Sequence, residues 1–187
     1  MHVKLLKKYY FINSFDTNII SKQDKKTIFI YRDYQSSKLK IDKILKLKNY
    51  LKKRGNKLVL ANNFKMALRL KLDGVYLPSF YKKFDHLNYS TFSNFIILGS
   101  AHNIKEIKIK EYQKVQGIFI SSLFKKNNNF LGINKFKIIS RYSKKNMIAL
   151  GGISKKNIKK LKLLNISGFA GISFFEQKKR PLKRGPF

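Results

Sequence analysis

Eight short apolar runs recur along this chain with starts roughly 17 to 32 residues apart, and that spacing constrains the fold more than any other feature. The runs are Tyr9–Asn13, Thr27–Tyr31, Lys57–Leu60, Gly74–Leu77, Phe95–Gly99, Val115–Ser121, Met147–Leu150 and Gly168–Phe175. Each has the length of a strand buried on both faces rather than of a helix. The gaps hold one helix apiece. Leu39, Ile44, Leu47 and Leu51 recur at helical spacing before Gly55, Phe64 to Leu72 precedes Gly74, and Ile104 to Gln113 forms a third. Strands joined by helices pair in parallel. Eight such units predict an α/β fold, a compact single-domain (β/α)8 TIM barrel over residues 1–176, with residues 177–187 as a basic tail. A doubly wound open sheet is the alternative. At 187 residues the chain lies just below the usual lower limit of about 200 for such barrels, so short loops or a degenerate helix are expected.

The last βαβ unit shows most about chemistry. Met147 to Leu150 ends in Gly151-Gly152, a break whose backbone can approach a ligand closely. Ser154 is placed to cap a helix in which Ile158, Leu161 and Leu164 recur, and Gly168 to Phe175 reads as the closing strand. Unpaired N–H groups at strand ends and helix starts attract anions, so Gly151, Gly152 and the Gly171–Ser173 segment form a candidate phosphate seat. The glycine pair can equally serve only to close a turn.

Composition excludes several classes. The chain has no cysteine, so disulfides and thiolate chemistry are absent and a cytoplasmic location is expected. No run approaches the roughly 18 apolar residues of a spanning helix, and the basic start lacks a sustained apolar segment, so neither a membrane partner nor an export signal is expected. The formal charge of +33 invites a nucleic-acid reading. However, lysine outnumbers arginine about six to one, alongside abundant asparagine and isoleucine, as AT-rich coding would produce, and the lysines form no single stripe. Nucleic acid is therefore not the expected partner.

In a barrel, function sits at the carboxyl ends of the strands. The polar residues there are Arg32, Asn62, Asn63, Ser79, Ser100, His102, Ser121, Ser122, Asn128, Asn129 and Ser173. Nearly all are neutral. There is no carboxylate pair beyond Asp33 for metal or acid/base work, and no nucleophile with an adjacent base is expected. His102 also reads as a surface or capping histidine, Arg32 as a partner of Asp33, the asparagines 127–129 as a solvated loop, and Tyr76 as packing.

Several segments together resemble the thiamine phosphate synthase and thiazole tautomerase (TenI-like) superfamily of (β/α)8 barrels. LANNFKMALRLKLDGVYLPS resembles its third strand, helix and fourth strand, IILGSAHNIKEI its fifth-strand serine-x-histidine segment, and IALGGI with GFAGIS its last two strands. GIFISSLFKKNNN stands where the family has a loop after strand six. The resemblance implies binding of a thiazole phosphate and its joining to a pyrimidine methyl diphosphate, with pyrophosphate released and magnesium on the diphosphate. It also implies roles by position. Arg32 and Ser100 would stabilise diphosphate charge, Asn62 would orient the pyrimidine or metal waters, and Gly152, Ile172 and Ser173 would cradle the thiazole phosphate.

The other half of the pocket departs from the family pattern. The two magnesium aspartates are replaced by Asn63 and Tyr81, the strand-two lysine by Tyr34, and the loop lysine by Asn129. Magnesium prefers anionic oxygens, so these losses argue against a metal site. The tautomerase's histidine after strand six is Ser121 or Ser122 here. Three readings follow: a thiamine-phosphate-synthase-type transferase, a noncatalytic phosphate-ligand-binding or regulatory barrel derived from it, and a basic nucleic-acid-binding protein.

Overall fold

The computed structural model describes residues 5–34 and 41–176; Leu39 and the tail 177–187 lie outside the described residues. Eight parallel strands close on themselves in sequence order. They are β1 (Lys7–Ile12), β2 (Ile28–Tyr31), β3 (Lys57–Ala61), β4 (Gly74–Leu77), β5 (Ile96–Ala101), β6 (Gly117–Ile120), β7 (Asn146–Leu150) and β8 (Gly168–Ala170). Closure is direct: β8 pairs with β1 in the register Lys7↔Gly168 to Tyr9↔Ala170. Among the described residues, six α-helices lie between or after the strands: α1 (Thr17–Ser21), α2 (Ile41–Lys53), α3 (Phe64–Arg69), α4 (Ile104–Tyr112), α5 (Gly132–Ser140) and α6 (Ile172–Phe175). The sheet is a barrel, not the open alternative.

Alternation along the strands produces two apolar layers. One set of residues, including Tyr9, Phe11, Ile30, Val59, Tyr76, Leu98 and Phe119, fills the barrel interior. The other set, including Phe29, Leu58, Leu60, Val75 and Ile118, packs outward against Ile44, Leu47 and Leu51 of α2 and Ile107 of α4. The interior is largely aromatic. Phe119 meets Tyr9, Phe11 and Tyr76 edge-on at centroid separations of 5.1, 5.5 and 5.6 Å, an arrangement that favours ring edges against ring faces. Room for rings in so small a barrel comes from missing side chains. A Cβ on Gly168 would lie 2.8 Å from the Tyr9 ring and 2.6 Å from the Lys7 carbonyl.

Three sequence expectations need correction. The run Gly168–Phe175 is a strand only to Ala170; after Gly171 the chain turns into α6, whose Phe174 and Phe175 pack on Phe169 and Tyr10. Ser154 does not cap a helix. The Asn157 carboxamide accepts the Ser154 N–H and donates to the Gly152 carbonyl, both at 2.8 Å. That clasp delays helical structure to a 3-10 segment, Ile158–Leu163. The helix from Phe64 ends at Arg69 because Lys71 turns to φ 47° and the Leu72 N–H returns to the Ala67 carbonyl.

Helix α1, helix α5 and the 3-10 turn Asp85–Asn88 carry no periodic sequence signal long enough to have been anticipated. Among the described residues, no helix is long and apolar enough to cross a membrane.

Candidate active site

The carboxyl ends of β2, β3, β4 and β5 build one side of the mouth from side chains. Phe11 lies inside the barrel at the end of β1, and the Arg32 guanidinium sits 4.9 Å from its ring centroid. The same guanidinium is 5.8 Å from the Tyr34 ring, which in turn meets Phe80 edge-on at 5.7 Å. Arg32 is fixed along its backbone too, its N–H donating to the Ile12 carbonyl at 2.7 Å. Stacking of this kind holds a guanidinium while leaving its donors for a ligand.

Tyr76 gathers the other candidates. Its hydroxyl donates to Ser100 Oγ at 2.8 Å, and its carbonyl accepts the Asn62 N–H at 2.8 Å. Asn62 adopts φ 56°, the left-handed conformation that asparagine tolerates better than most residues. Burial pushes the Tyr76 phenol up, opposed by the Ser100 contact and by the Arg32 charge. Burial likewise raises Tyr34, again opposed by Arg32. Ser100 and Arg32 therefore act on the buried Tyr76 phenol, while Asn62 meets the same residue at its backbone carbonyl.

The ends of β6, β7 and β8 form the other side from backbone. Gly151 and Gly152 adopt φ 99° and 72°. A Cβ on Gly151 would come within 2.5 Å of Ser122 Oγ, and one on Gly152 within 2.4 Å of the Lys125 amide nitrogen. Ser122 is thereby the neighbour of the glycine pair. Its N–H donates to the Asn129 carbonyl at 2.8 Å and its carbonyl accepts from Leu131 N–H at 2.9 Å, so Asn129 contributes backbone here. The β7 and β8 loops touch, since a Cβ on Gly171 would lie 2.8 Å from the Ile153 carbonyl. Gly152, Ile172 and Ser173 are all exposed, and Ile172 and Ser173 stand on α6 rather than on a strand.

A cavity of about 180 Å3 opens beside β1 and the loop after it, lined among others by Asn13, Asp16 and Glu176; Arg32 and Ile172 reach its lining, whereas Asn62, Ser100, Gly152 and Ser173 do not. The Tyr10 hydroxyl donates to Glu176 Oε1 at 2.9 Å beside it.

The fold also creates a pair that sequence reading did not find. His102 Nδ1 lies 3.0 Å from Ser121 Oγ and 3.1 Å from the Ser121 carbonyl, although the two residues are 19 positions apart. With its proton on Nδ1 the ring donates to the carbonyl; with the proton on Nε2 it accepts from the hydroxyl. The His102 N–H donates to Glu106 at 2.8 Å, tying this loop to the first turn of α4.

A second, larger cavity of about 480 Å3 opens on the rim beyond β3 and β4, lined by Asn62, Asn63, Lys65, Lys82, Lys83 and Asp85 among others. Asn63 is spent on helix capping, its Oδ1 accepting the Met66 N–H at 3.0 Å. The Tyr81 hydroxyl donates to Asp85, and that contact holds the Asp85 carboxyl below its usual range. Behind the rim, Lys110 is fully buried and donates to the carbonyls of Pro78 and Tyr81 and to Gln113 Oε1, each at 2.8 Å. Burial pushes its ammonium down to about 8. Among the described residues, no three His, Cys, Asp or Glu side chains gather as metal ligands. Asn62, Asn63 and Tyr81 were the residues of this rim marked in the sequence; Lys65, Lys82 and Lys83 carried no signal of their own among so many lysines.

Comparison with known proteins fits this architecture. The family model described as thiamine monophosphate synthase matches residues 18–175. A thiamine-phosphate synthase of Methanococcus vannielii is 34% identical over 82 residues, covering 42% of this chain and 40% of the relative, so the chain aligns with under half of that relative's length. An Aquifex aeolicus protein provisionally named a second thiamine-phosphate synthase is 31% identical over 144 residues, covering 71% of this chain and 74% of its own. The thiamine phosphate pyrophosphorylase of Pyrococcus furiosus superposes with a TM-score of 0.66 at 18% identity, covering 89% of this chain and 85% of that one. That structural likeness speaks for the fold, while the family match spans most of the chain in sequence. The chain belongs to the thiamine monophosphate synthase family.

Proposed function

We propose that this protein is a thiamine-phosphate-synthase-type transferase that joins a thiazole phosphate to a pyrimidine methyl diphosphate. The observation that carries the reading is the shared cavity: Arg32 from the side-chain half and Ile172 from the backbone half line the same 180 Å3 space. In the reaction, the thiazole nitrogen forms a bond to the pyrimidine methylene carbon. The carbon–oxygen bond to the diphosphate breaks, and its electron pair leaves with pyrophosphate. Charge builds on the departing oxygens, so fixed donors aimed at them lower the barrier. Arg32, held over Phe11, supplies such a donor set. Ser100 is kept in place by the Tyr76 hydroxyl, and Asn62 by its bond to the Tyr76 backbone. Gly151, Gly152, Ile172 and Ser173 supply the N–H groups for the thiazole phosphate, and holding both substrates together removes the entropy of their encounter.

The test is product formation from the two substrates, with titration of each substrate alone by calorimetry. Turnover that falls steeply in Arg32→Ala supports the transferase. Saturable binding of thiazole phosphate without any product supports the ligand-binding barrel instead. No binding of thiazole phosphate at millimolar concentration removes both, and steeply salt-dependent binding to RNA or duplex DNA alone would favour the nucleic-acid reading.

A further inference from the structure

We propose that the rim beyond β3 and β4 is a metal-independent seat for a diphosphate, in which Lys65, Lys82 and Lys83 supply the neutralising charge. This inference rests on the transferase reading above and extends its diphosphate site outward from Asn62, which lines this rim, whereas Arg32 lines the cavity of about 180 Å3. The residues at the rim do not fit a divalent cation. Magnesium needs several free anionic oxygens, whereas the cavity is lined by one carboxylate, Asp85, which already accepts a hydrogen bond from Tyr81. The Asn63 side-chain oxygen is turned away to cap α3. Three ammonium groups in the same lining repel a cation and attract a polyvalent anion.

The lysines are presented from a fixed backbone. Two buried side chains of the α4 end clamp the segment that carries Lys82 and Lys83. The Lys110 ammonium binds the carbonyls of Pro78 and Tyr81, and Gln113 Nε2 donates to the carbonyls of Tyr81 and Lys83 at 3.0 and 2.7 Å. Buried His86 continues the clamp, its Nε2 lying 2.9 Å from the Gln113 carbonyl. Across the cavity, the Lys65 ammonium rests 6.0 Å from the Tyr89 ring centroid. Preorganised backbone lowers the ordering cost of gathering three lysines on one anion. The volume of about 480 Å3 falls in the ordinary range of small-ligand pockets.

Calorimetric titration with inorganic pyrophosphate tests this, in EDTA, in added magnesium, and in a Lys65→Gln/Lys82→Gln/Lys83→Gln variant. The expected result is binding that persists in EDTA, gains nothing from magnesium, weakens steeply with salt, and falls about tenfold in the triple variant. Binding seen only with magnesium, binding unchanged in the triple variant, or no binding at all overturns the proposal. Thiazole phosphate is titrated in the same preparations. If it binds while pyrophosphate does not, the rim proposal fails and the transferase reading stands; if neither binds, both fail. Unchanged thiazole phosphate binding by the triple variant shows that the variant is folded.

Discussion

On the function proposed above, the two sides of the barrel mouth would hold an anion by different means. On the β7 and β8 side the contacts are backbone, and the absence of side chains at Gly151, Gly152 and Gly171 lets the loops after β6, β7 and β8 approach one another closely. On the β2 to β5 side the charges are side chains, Arg32 and the rim lysines, and what makes them useful is rigid support from Phe11, Tyr76 and Lys110. A backbone seat fails when an atom is added, and a side-chain seat fails when one is removed. Substitutions at the two sides should therefore leave different signatures, one in stability and the other in function.

The largest expected effect is on turnover. Arg32→Ala removes the one guanidinium at the shared cavity and should lower product formation by about 100- to 1000-fold, with little change in the denaturation midpoint. Arg32→Lys keeps the charge but loses the planar fork and stack, and should recover only part of that loss. Wild-type activity in Arg32→Lys would mean that charge alone, not geometry, is used. On the glycine side the balance reverses. Gly152→Ala forces a Cβ against backbone at 2.4 Å in a left-handed conformation, and should destabilise by about 2–4 kcal/mol in urea unfolding while abolishing thiazole phosphate binding. Ser173→Asp, at an exposed position, should abolish that binding while leaving stability within about 0.5 kcal/mol.

The support behind the lysine rim predicts a pH signature. Lys110→Met removes the donor shared by the Pro78 and Tyr81 carbonyls and Gln113, and should destabilise by about 2 kcal/mol near neutral pH. In the native protein, burial outweighs the attraction of Glu106 and lowers the Lys110 ammonium from its ordinary 10.5 to about 8. Below pH 8 both folded and unfolded chains keep the proton. Between about 8 and 10.5 the unfolded chain holds more protons, so this group's contribution to stability rises with pH, by at most about 1.4 kcal/mol per unit. The difference between wild type and Lys110→Met across that window isolates the effect; a flat difference would place the ammonium at its ordinary value.

The same contrast explains what could be read from sequence. The strands were legible because a parallel barrel buries both faces, so each strand is a short apolar run whichever way its side chains point. The Gly151-Gly152 turn was legible because positive φ selects glycine at those two positions. Lys110 was not, since a lysine on a helix reads as solvent-facing, and only the fold brings carbonyls from positions 29 and 32 residues away to cover it. His102 and Ser121 were hidden for the same reason. The misread end of β8 had another cause. Phe174 and Phe175 are as apolar on a short helix packed against Phe169 and Tyr10 as they would be on a strand, so hydrophobicity alone could not tell the two apart.

The smallest expected effect probes the joint where the two kinds of construction meet. Tyr76 contributes a ring to the aromatic interior and a hydroxyl to Ser100, which is itself buried. Tyr76→Phe keeps the edge-on contacts with Phe11 and Phe119 and leaves Ser100 Oγ without that partner, which should destabilise by about 1 kcal/mol. Ser100→Ala should do the same by orphaning the phenol. Because each single change strands the other's polar group, the double variant should be less destabilised than the sum of the two, with a coupling of about 0.5–1 kcal/mol in a double-mutant cycle. Simple additivity would mean that the hydroxyls are independently satisfied. In that case Ser100 would be free to turn toward a ligand, and the side-chain half of the mouth would be less rigid than its aromatic packing implies.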